Sequence, residues 1–405
     1  MSAQEFDLVV IGGGNAIALA RRAAGAGKRV ALIERDLLGG TCPNRGCIPS
    51  KLLLGYADVA RTIRDAHRFH IDAELHHIDT DTILVETQAA TIGGTDRYFA
   101  DHIPDGMTLF RGTGSFVGER LVEVTAADGT TTRLTAPQVL IGTGSRPRRP
   151  QGMDDVPYWT SDEVFSLARL PQSVAVVGGG FIACELAYFL HAMGVPTEVL
   201  VRGDGLLLQA DGDARRKFEA GFTARVPTRL NTEVVSAESV EVDGYRQIRV
   251  TTKGPDGERT FEVEALLYAI GRVPNTDSLN CAVAGIELDD RGYVKVDDRL
   301  RTTADGVYAL GDVTGGYQFT HSASFEATYL GDVLLDGRDA PLEYGPMPAA
   351  VFSKQFKVLV QLGQDLGEIG VAKHGTRYFI RPKDFVPLFL DIGGFPALAN
   401  RLQQS

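Results

Sequence analysis

A β-branched run that ends in three glycines occurs twice in this chain, each time ahead of a helix-forming stretch and a second short strand. In the first copy the pattern predicts a strand over 6–11, the turn Gly12-Gly13-Gly14, a helix over 16–25, and a strand over 29–33 closing at Glu34. In the second it predicts a strand over 174–177, the turn Gly178-Gly179-Gly180, a helix running to about 193, and a strand over 197–201. Such glycines let the backbone approach a pyrophosphate lying on the helix N-terminus, and an acid such as Glu34 stands at the spacing of a ribose hydroxyl contact. A single match of this kind constrains little. Two in one chain imply an α/β protein with two Rossmann-like dinucleotide-binding folds, and hence two dinucleotides.

The copies differ in one place. Where the first motif wants a third glycine it has Ile17, which should push helix and strand apart; the second has the small Ala183 there. Between the copies lie a helical region over 56–67, a linking stretch, and a β-rich segment over 107–141. After the second copy come hairpin signals at Asp256-Gly257 and around 290–292. A Pro/Gly linker spans 338–348 and leads into a tail unlike the rest.

At 405 residues the chain should divide into two or three domains. A formal net charge of -11 argues against nucleic acid or an anionic membrane surface as partner. No apolar run has the length of a membrane span, and the N-terminus is expected to enter a strand at once, with neither the basic region nor the cleavage site of a signal peptide. Four cysteines in such a length suit a reducing cytoplasm, where a disulfide is more often catalytic than structural.

Two of those cysteines, Cys42 and Cys47, lie five apart in GGTCPNRGCIPSK, just after the first βαβ unit. On a regular helix such positions point about 140° apart, whereas a disulfide needs Cα atoms within about 7 Å. A bridge therefore requires a distorted turn, which Pro43 and Gly46 permit. The pair reads as a redox-active disulfide set against a bound cofactor. Two unpaired thiols, or half of a zinc site, are the alternatives. Zinc would want a second pair at ligand spacing, and Cys184 and Cys281 stand alone.

With this pair between two dinucleotide folds, residues 5–335 resemble the flavin-dependent pyridine nucleotide-disulfide oxidoreductases. That family includes dihydrolipoyl dehydrogenase and the glutathione, mycothione and mercuric reductases. GGTCPNRGCIPSK resembles the redox-disulfide signature, Thr143-Gly144-Ser145 with Pro147 the first chain crossover, and Gly271-Arg272 with Pro274-Asn275-Thr276 the second. Gly311-Asp312 resembles the second flavin motif, in which the Asp binds the ribityl chain. The resemblance implies an FAD-binding domain over 1–150 and 276–340, an NAD(P)-binding domain over 151–275, and a shortened α+β interface domain over 341–405. FAD contacts are expected from Gly12, Gly14, Glu34, Gly40, Thr41, Lys51, Thr143, Gly144, Gly311 and Asp312. Nicotinamide contacts are expected from Gly178, Gly180, Phe181, Arg202 and Gly271.

By the same resemblance, Cys47 is the thiol facing the flavin and Cys42 the thiol that meets substrate, with Lys51 and Glu185 paired near the flavin's reactive nitrogen. Arg45, between the thiols, is a candidate for stabilising a thiolate; a solvated loop Arg is the alternative. Phe181 is either an aromatic gate to the nicotinamide pocket or a core residue. His321 and Glu326 have the look of an acid/base pair; the resemblance places them on the helix after Asp312, and His321 as packing beside the flavin is the alternative. His67, His70, His76 and His77 read as a solvated polar region, not a metal site. The second copy ends in Val201 and Arg202 where an NAD enzyme would carry an acid, which favours NADPH, although Leu208 stands where a second Arg is expected.

The family's usual His-x-x-x-x-Glu acid/base, supplied to a partner subunit, has no counterpart in the tail. His374 is followed five residues later by Phe379. The apolar run 385–390 should pack against something, a second copy of the chain being the candidate. Two functions follow. One is an FAD-dependent NAD(P)H:disulfide oxidoreductase acting on a small disulfide or lipoyl substrate as a cytoplasmic homodimer, most like dihydrolipoyl dehydrogenase, with mycothione, glutathione and mercuric reductases as alternatives. The other is a flavin- and nucleotide-binding redox sensor that has lost disulfide turnover.

Overall fold

The computed structural model describes residues 2–345, 347–353, 356–362, 371–374 and 377–380, with side chains as far as Phe352, Pro348 excepted. The first glycine motif sits in a five-stranded parallel sheet ordered Val307–Ala309, Gln138–Ile141, Leu8–Ile11, Val30–Glu34, Met107–Arg111. Its central strand is apolar at every position because both faces are covered. Leu8 and Val10 meet the helices Ala16–Gly25 and Thr320–Asp336, while Val9 and Ile11 meet the antiparallel strands around Phe116, Val122 and Leu134. This is the two-residue period of a strand, with each alternate residue given to one layer.

The second motif sits in a parallel sheet ordered Thr228–Arg229, Thr197–Leu200, Val174–Val177, Ala265–Tyr268. Helix Phe181–Ala192 covers one face, and the meander Glu233–Val242, Tyr245–Gly254, Gly257–Val263 lies on the other. Gly257 takes φ +98° in the hairpin expected there. Segments Ser145–Pro147 and Arg272–Pro274, where the chain leaves the first sheet and returns to it, pair antiparallel with each other. The architecture is α/β with two Rossmann-like parallel sheets.

Three expectations are corrected. The helix predicted from 56 begins at Cys47 and runs to Asp65; its Pro49 lies in the first turn, where a missing N–H leaves no bond unmade. The stretch read as a link contains helices Thr80–Thr91 and Gly94–Asp101, the former capped by Asp79, whose carboxylate accepts from the Thr82 N–H at 3.0 Å. Ile17 does not open the first motif. It is buried in the apolar layer among Leu8, Val10 and Ala20, and the turn keeps its backbone bonds from Gly12 to Ile33 and from Gly142 to Ile11, both 2.8 Å. Small neighbours (Ala16, Ala20, Ala23) give the isoleucine its room. Among the described residues, no helix is long and apolar enough to cross a membrane.

Candidate active site

The two cysteines meet because a helix is interrupted between them. A short helix, Thr41–Arg45, stops at Gly46, and Cys47 opens the next. A Cβ added at Gly46 would stand 2.9 Å from the Thr41 carbonyl oxygen and 3.3 Å from the Cys42 Cα, so the kink that folds one thiol back on the other is open only to glycine. Gly40, at φ +70°, passes so close to the first glycine turn that a Cβ there would lie 2.9 Å from the Gly14 Cα. Backbone thus touches backbone, and the thiol pair is set directly against the turn.

Both sulfurs are free thiols, hydrogen-bonded to each other. That bond splits their acidities. Accepting from Cys42 and lying near the Lys51 ammonium, Cys47 is lowered to about 7 even though burial opposes it. Donating the bond and being buried push Cys42 well up, while the Thr320 hydroxyl and Lys51 work the other way. Of the reduced pair, Cys47 is the one that ionises first, above about pH 7, with its thiolate held by the thiol of Cys42. The cation that matters is Lys51. Arg45 turns its guanidinium to the Asp36 carboxylate, at 2.5 Å, and is not among the leading influences on either sulfur.

Lys51 Nζ lies 2.7 Å from Glu185 Oε2. The two come from helices Cys47–Asp65 and Phe181–Ala192, one from each glycine-motif region, and Glu185 is only 3% exposed. Residues 134 positions apart are joined beside the thiols.

Asp312 accepts from the Ser145 hydroxyl at 2.5 Å and faces Arg272 at 3.9 Å, so both crossover segments close on it. The preceding Gly311 N–H donates to the buried Glu326 carboxylate at 2.5 Å, whose other oxygen accepts from the Tyr344 hydroxyl at 2.6 Å. Burial raises Glu326 despite these bonds. It is a support for the Gly311–Asp312 backbone and makes no pair with His321, whose ring stacks on Phe319 at 5.2 Å and 10°.

Beside the first glycine turn, Gly12, Glu34, Gly114, Thr143 and Asn275 line a hollow. Glu34 stands at its rim and accepts from the Gly13 and Asp36 N–H groups, both at 2.7 Å. The Thr143 hydroxyl is buried there with no hydrogen-bond partner among the described residues, and Gly144 at φ +65° has open space around it. A buried hydroxyl without a partner is costly. The donor set fits a ligand rich in hydroxyls and phosphates.

In the second motif, Gly178 at φ +136° lies against the Ala269 carbonyl, where a Cβ would come within 2.3 Å. Gly180 has open space at the N-terminus of helix Phe181–Ala192, which no side chain caps. Phe181 is 41% exposed, not a core residue, and leans on Phe319 at 6.2 Å. Arg202 is exposed two residues past strand Thr197–Leu200, and Gly271 takes φ +107° with nothing within 4 Å. His67, His70, His76 and His77 are exposed, and the described residues contain no group of three or more metal-ligating side chains. His374 lies in strand Val371–His374, its side chain outside the described residues, as is the apolar run 385–390.

Sequence reasoning missed Asn15 and Thr320. The Asn15 amide donates to the Thr320 carbonyl at 2.6 Å and the Ser324 hydroxyl at 2.8 Å, tying the first glycine turn to the helix whose Thr320 touches Cys42. Only the contact between residues 305 positions apart gives them a role, and no local pattern carries that.

A family model described as pyridine nucleotide-disulphide oxidoreductase matches residues 6–327. A glutathione reductase from Burkholderia cepacia is 34% identical over 369 residues, covering 90% of this chain and 79% of that one. A dihydrolipoyl dehydrogenase from Chlamydia pneumoniae is 34% identical, covering 86% and 74%. A mycothione reductase from Mycobacterium tuberculosis (strain ATCC 25618 / H37Rv) is 35% identical, covering 86% and 76%. The match spans both glycine motifs, the thiol pair and the Gly311–Asp312 turn, and the chain belongs to the pyridine nucleotide-disulphide oxidoreductase family.

Proposed function

We propose that this chain is an FAD-dependent NAD(P)H:disulfide oxidoreductase that passes electrons to the Cys42–Cys47 pair and from it to a small disulfide, in the manner of dihydrolipoyl dehydrogenase. The observation that carries the reading is the thiol pair itself. Two sulfurs of opposed acidity are folded together at Gly46, against the first glycine turn and beside the Lys51–Glu185 ion pair.

The hollow with the unpartnered Thr143 hydroxyl suits FAD, held by Gly12, Gly14, Glu34, Gly40, Thr41, Lys51, Thr143, Gly144, Gly311 and Asp312. What bound FAD supplies is acceptance of hydride from a reduced nicotinamide and release of an electron pair to the disulfide. The nicotinamide nucleotide is taken by Gly178, Gly180, Phe181, Arg202 and Gly271, with NADPH preferred through Arg202. The domains are 1–150 with 276–340 for FAD, 151–275 for the nicotinamide, and 341–405 as interface. The return of strand Val307–Ala309 to the first sheet supports the discontinuous first domain. The working form is a cytoplasmic homodimer.

Turnover then follows thiol–disulfide exchange. Cys42 passes its proton along its hydrogen bond toward Cys47 and attacks one sulfur of the substrate R–S–S–R, forming a mixed disulfide and releasing one thiolate. Cys47 gives its proton to the released thiolate, attacks the Cys42 sulfur and closes the protein disulfide, releasing the second thiolate, which takes a proton from solvent. One NAD(P)H and one proton are consumed for two thiols formed. Lys51 favours the thiolate on Cys47, and Glu185 holds Lys51 in place.

Thiol counting after unfolding tests the reading. Oxidised protein should show two thiols, Cys184 and Cys281, and anaerobic NADPH should raise the count to four. No rise in flavin-bearing protein would overturn it.

A further inference from the structure

The linker after the Thr320–Asp336 helix delivers strand Met347–Ser353 onto the two helices that carry the ion pair. Consecutive residues of this strand take different tasks. Val351 is 5% exposed and enters the apolar cluster with Leu53 and Cys184. The Phe352 N–H donates to Glu185 Oε1 at 3.1 Å, and its ring faces Lys51 Nζ at 4.8 Å from the centroid. Glu185 is therefore held at both oxygens, one by Lys51 and one by the strand.

We propose that Phe352 is a positioning residue of the redox centre, holding the Lys51 ammonium and the Glu185 carboxylate in register beside Cys47, so that the strand after the linker is part of the site. This rests on the functional reading above. A buried carboxylate needs more than one partner to stay ionised and fixed. A flexible four-carbon ammonium needs more than one contact to stay in one place, and an aromatic face is such a contact. With the ring gone, Lys51 loses one of the three contacts that aim it, keeping Glu185 and the Ser50 hydroxyl at 3.4 Å. The ionisable groups that face Cys47 are Cys42, Lys51 and Glu185; Glu185 also faces the Cys184 thiol, which burial keeps protonated.

The test uses the full-length, flavin-loaded protein reduced to the dithiol. The rate of Cys47 alkylation by iodoacetamide is followed against pH by mass spectrometry in wild type, Phe352→Ala, Phe352→Leu and Phe352→Tyr. Loss of the ring should move the Cys47 midpoint upward by about half a pH unit or more, roughly a threefold loss of thiolate at pH below the midpoint. Leucine keeps the bulk and the backbone N–H, so it should shift like alanine, and tyrosine should restore the wild-type profile. If Phe352→Ala does not fold, Phe352→Leu carries the comparison. A folded Phe352→Leu protein whose profile superimposes on wild type would overturn the proposal. Thiol counting after NADPH in the same samples separates the two ideas: a shifted profile without reduction by NADPH keeps the role of Phe352 and rejects the disulfide chemistry.

Discussion

Cys47 is distinguished from the other three cysteines by what surrounds its sulfur. It accepts from Cys42 and faces Lys51, whereas Cys184 and Cys281 lie in apolar surroundings and are raised by burial. A depressed thiol is reactive above its midpoint and protected below it, so alkylation of Cys47 should rise with pH around 7. Cys184 should not react while the protein is folded. Replacing Cys42 by alanine removes the donor, and the Cys47 midpoint should climb toward that of an ordinary thiol. A midpoint unchanged in Cys42→Ala would show that the thiol–thiol bond does not set it. The reduced pair is also linked to stability. Its depressed member stabilises the folded dithiol above the ordinary thiol value, and that contribution is lost as pH falls through about 7.

At the scale of elements, two glycines and a carboxylate hold the site together. Gly46→Ala forces a Cβ to 2.9 Å from the Thr41 carbonyl. It should lower stability by about 2 kcal/mol or more by chemical denaturation, and it should slow closure of the disulfide. Glu326→Gln leaves one oxygen for two donors, the Gly311 N–H and the Tyr344 hydroxyl. One donor would be left unpaired in a buried place, a loss of about 1–3 kcal/mol, and flavin retention during dialysis should fall with it. Retained flavin and unchanged stability would remove Glu326 from the support of Asp312.

Much of this was legible in the sequence where the chemistry is local. The strands and helices flanking Gly12 and Gly178 follow from hydrophobic period and glycine placement, and the distorted turn between Cys42 and Cys47 follows from their spacing. The helix start at Cys47 was hidden because a Gly/Pro-rich segment reads as loop until Pro49 is seen to occupy a first turn. Arg45 is a candidate for the thiolate's cation only through its place between the thiols in sequence, with a solvated loop Arg as the alternative, and Asp36, nine positions back, takes it. Asn15, Thr320 and Phe352 owe their roles to contacts spanning 305 and 167 positions, which no local pattern encodes.

At the scale of the molecule, the thiol pair sits where the two glycine-motif regions come together, with Lys51 from one and Glu185 from the other. The second region offers Arg202 where a carboxylate would select the unphosphorylated nucleotide. Arg202→Glu should lower the ratio of steady-state kcat/KM for NADPH to that for NADH by about tenfold or more, since a carboxylate repels the 2′-phosphate and accepts from the ribose hydroxyl. An unaltered ratio would assign the choice to other residues.

The central claim is that electrons from a nicotinamide reach Cys42 and Cys47 through a bound flavin. Anaerobic titration of the flavin-loaded protein with NADPH tests it most directly. The account predicts a long-wavelength absorbance band after two electrons in the wild type, from a thiolate on Cys47 against the oxidised flavin, and none in Cys47→Ser; in Cys42→Ser, which has no disulfide to reduce, the band should be present before reductant is added and be lost as two electrons bleach the flavin. Full bleaching of the flavin at two electrons in the wild type, with no such band and no gain in thiols, would contradict it.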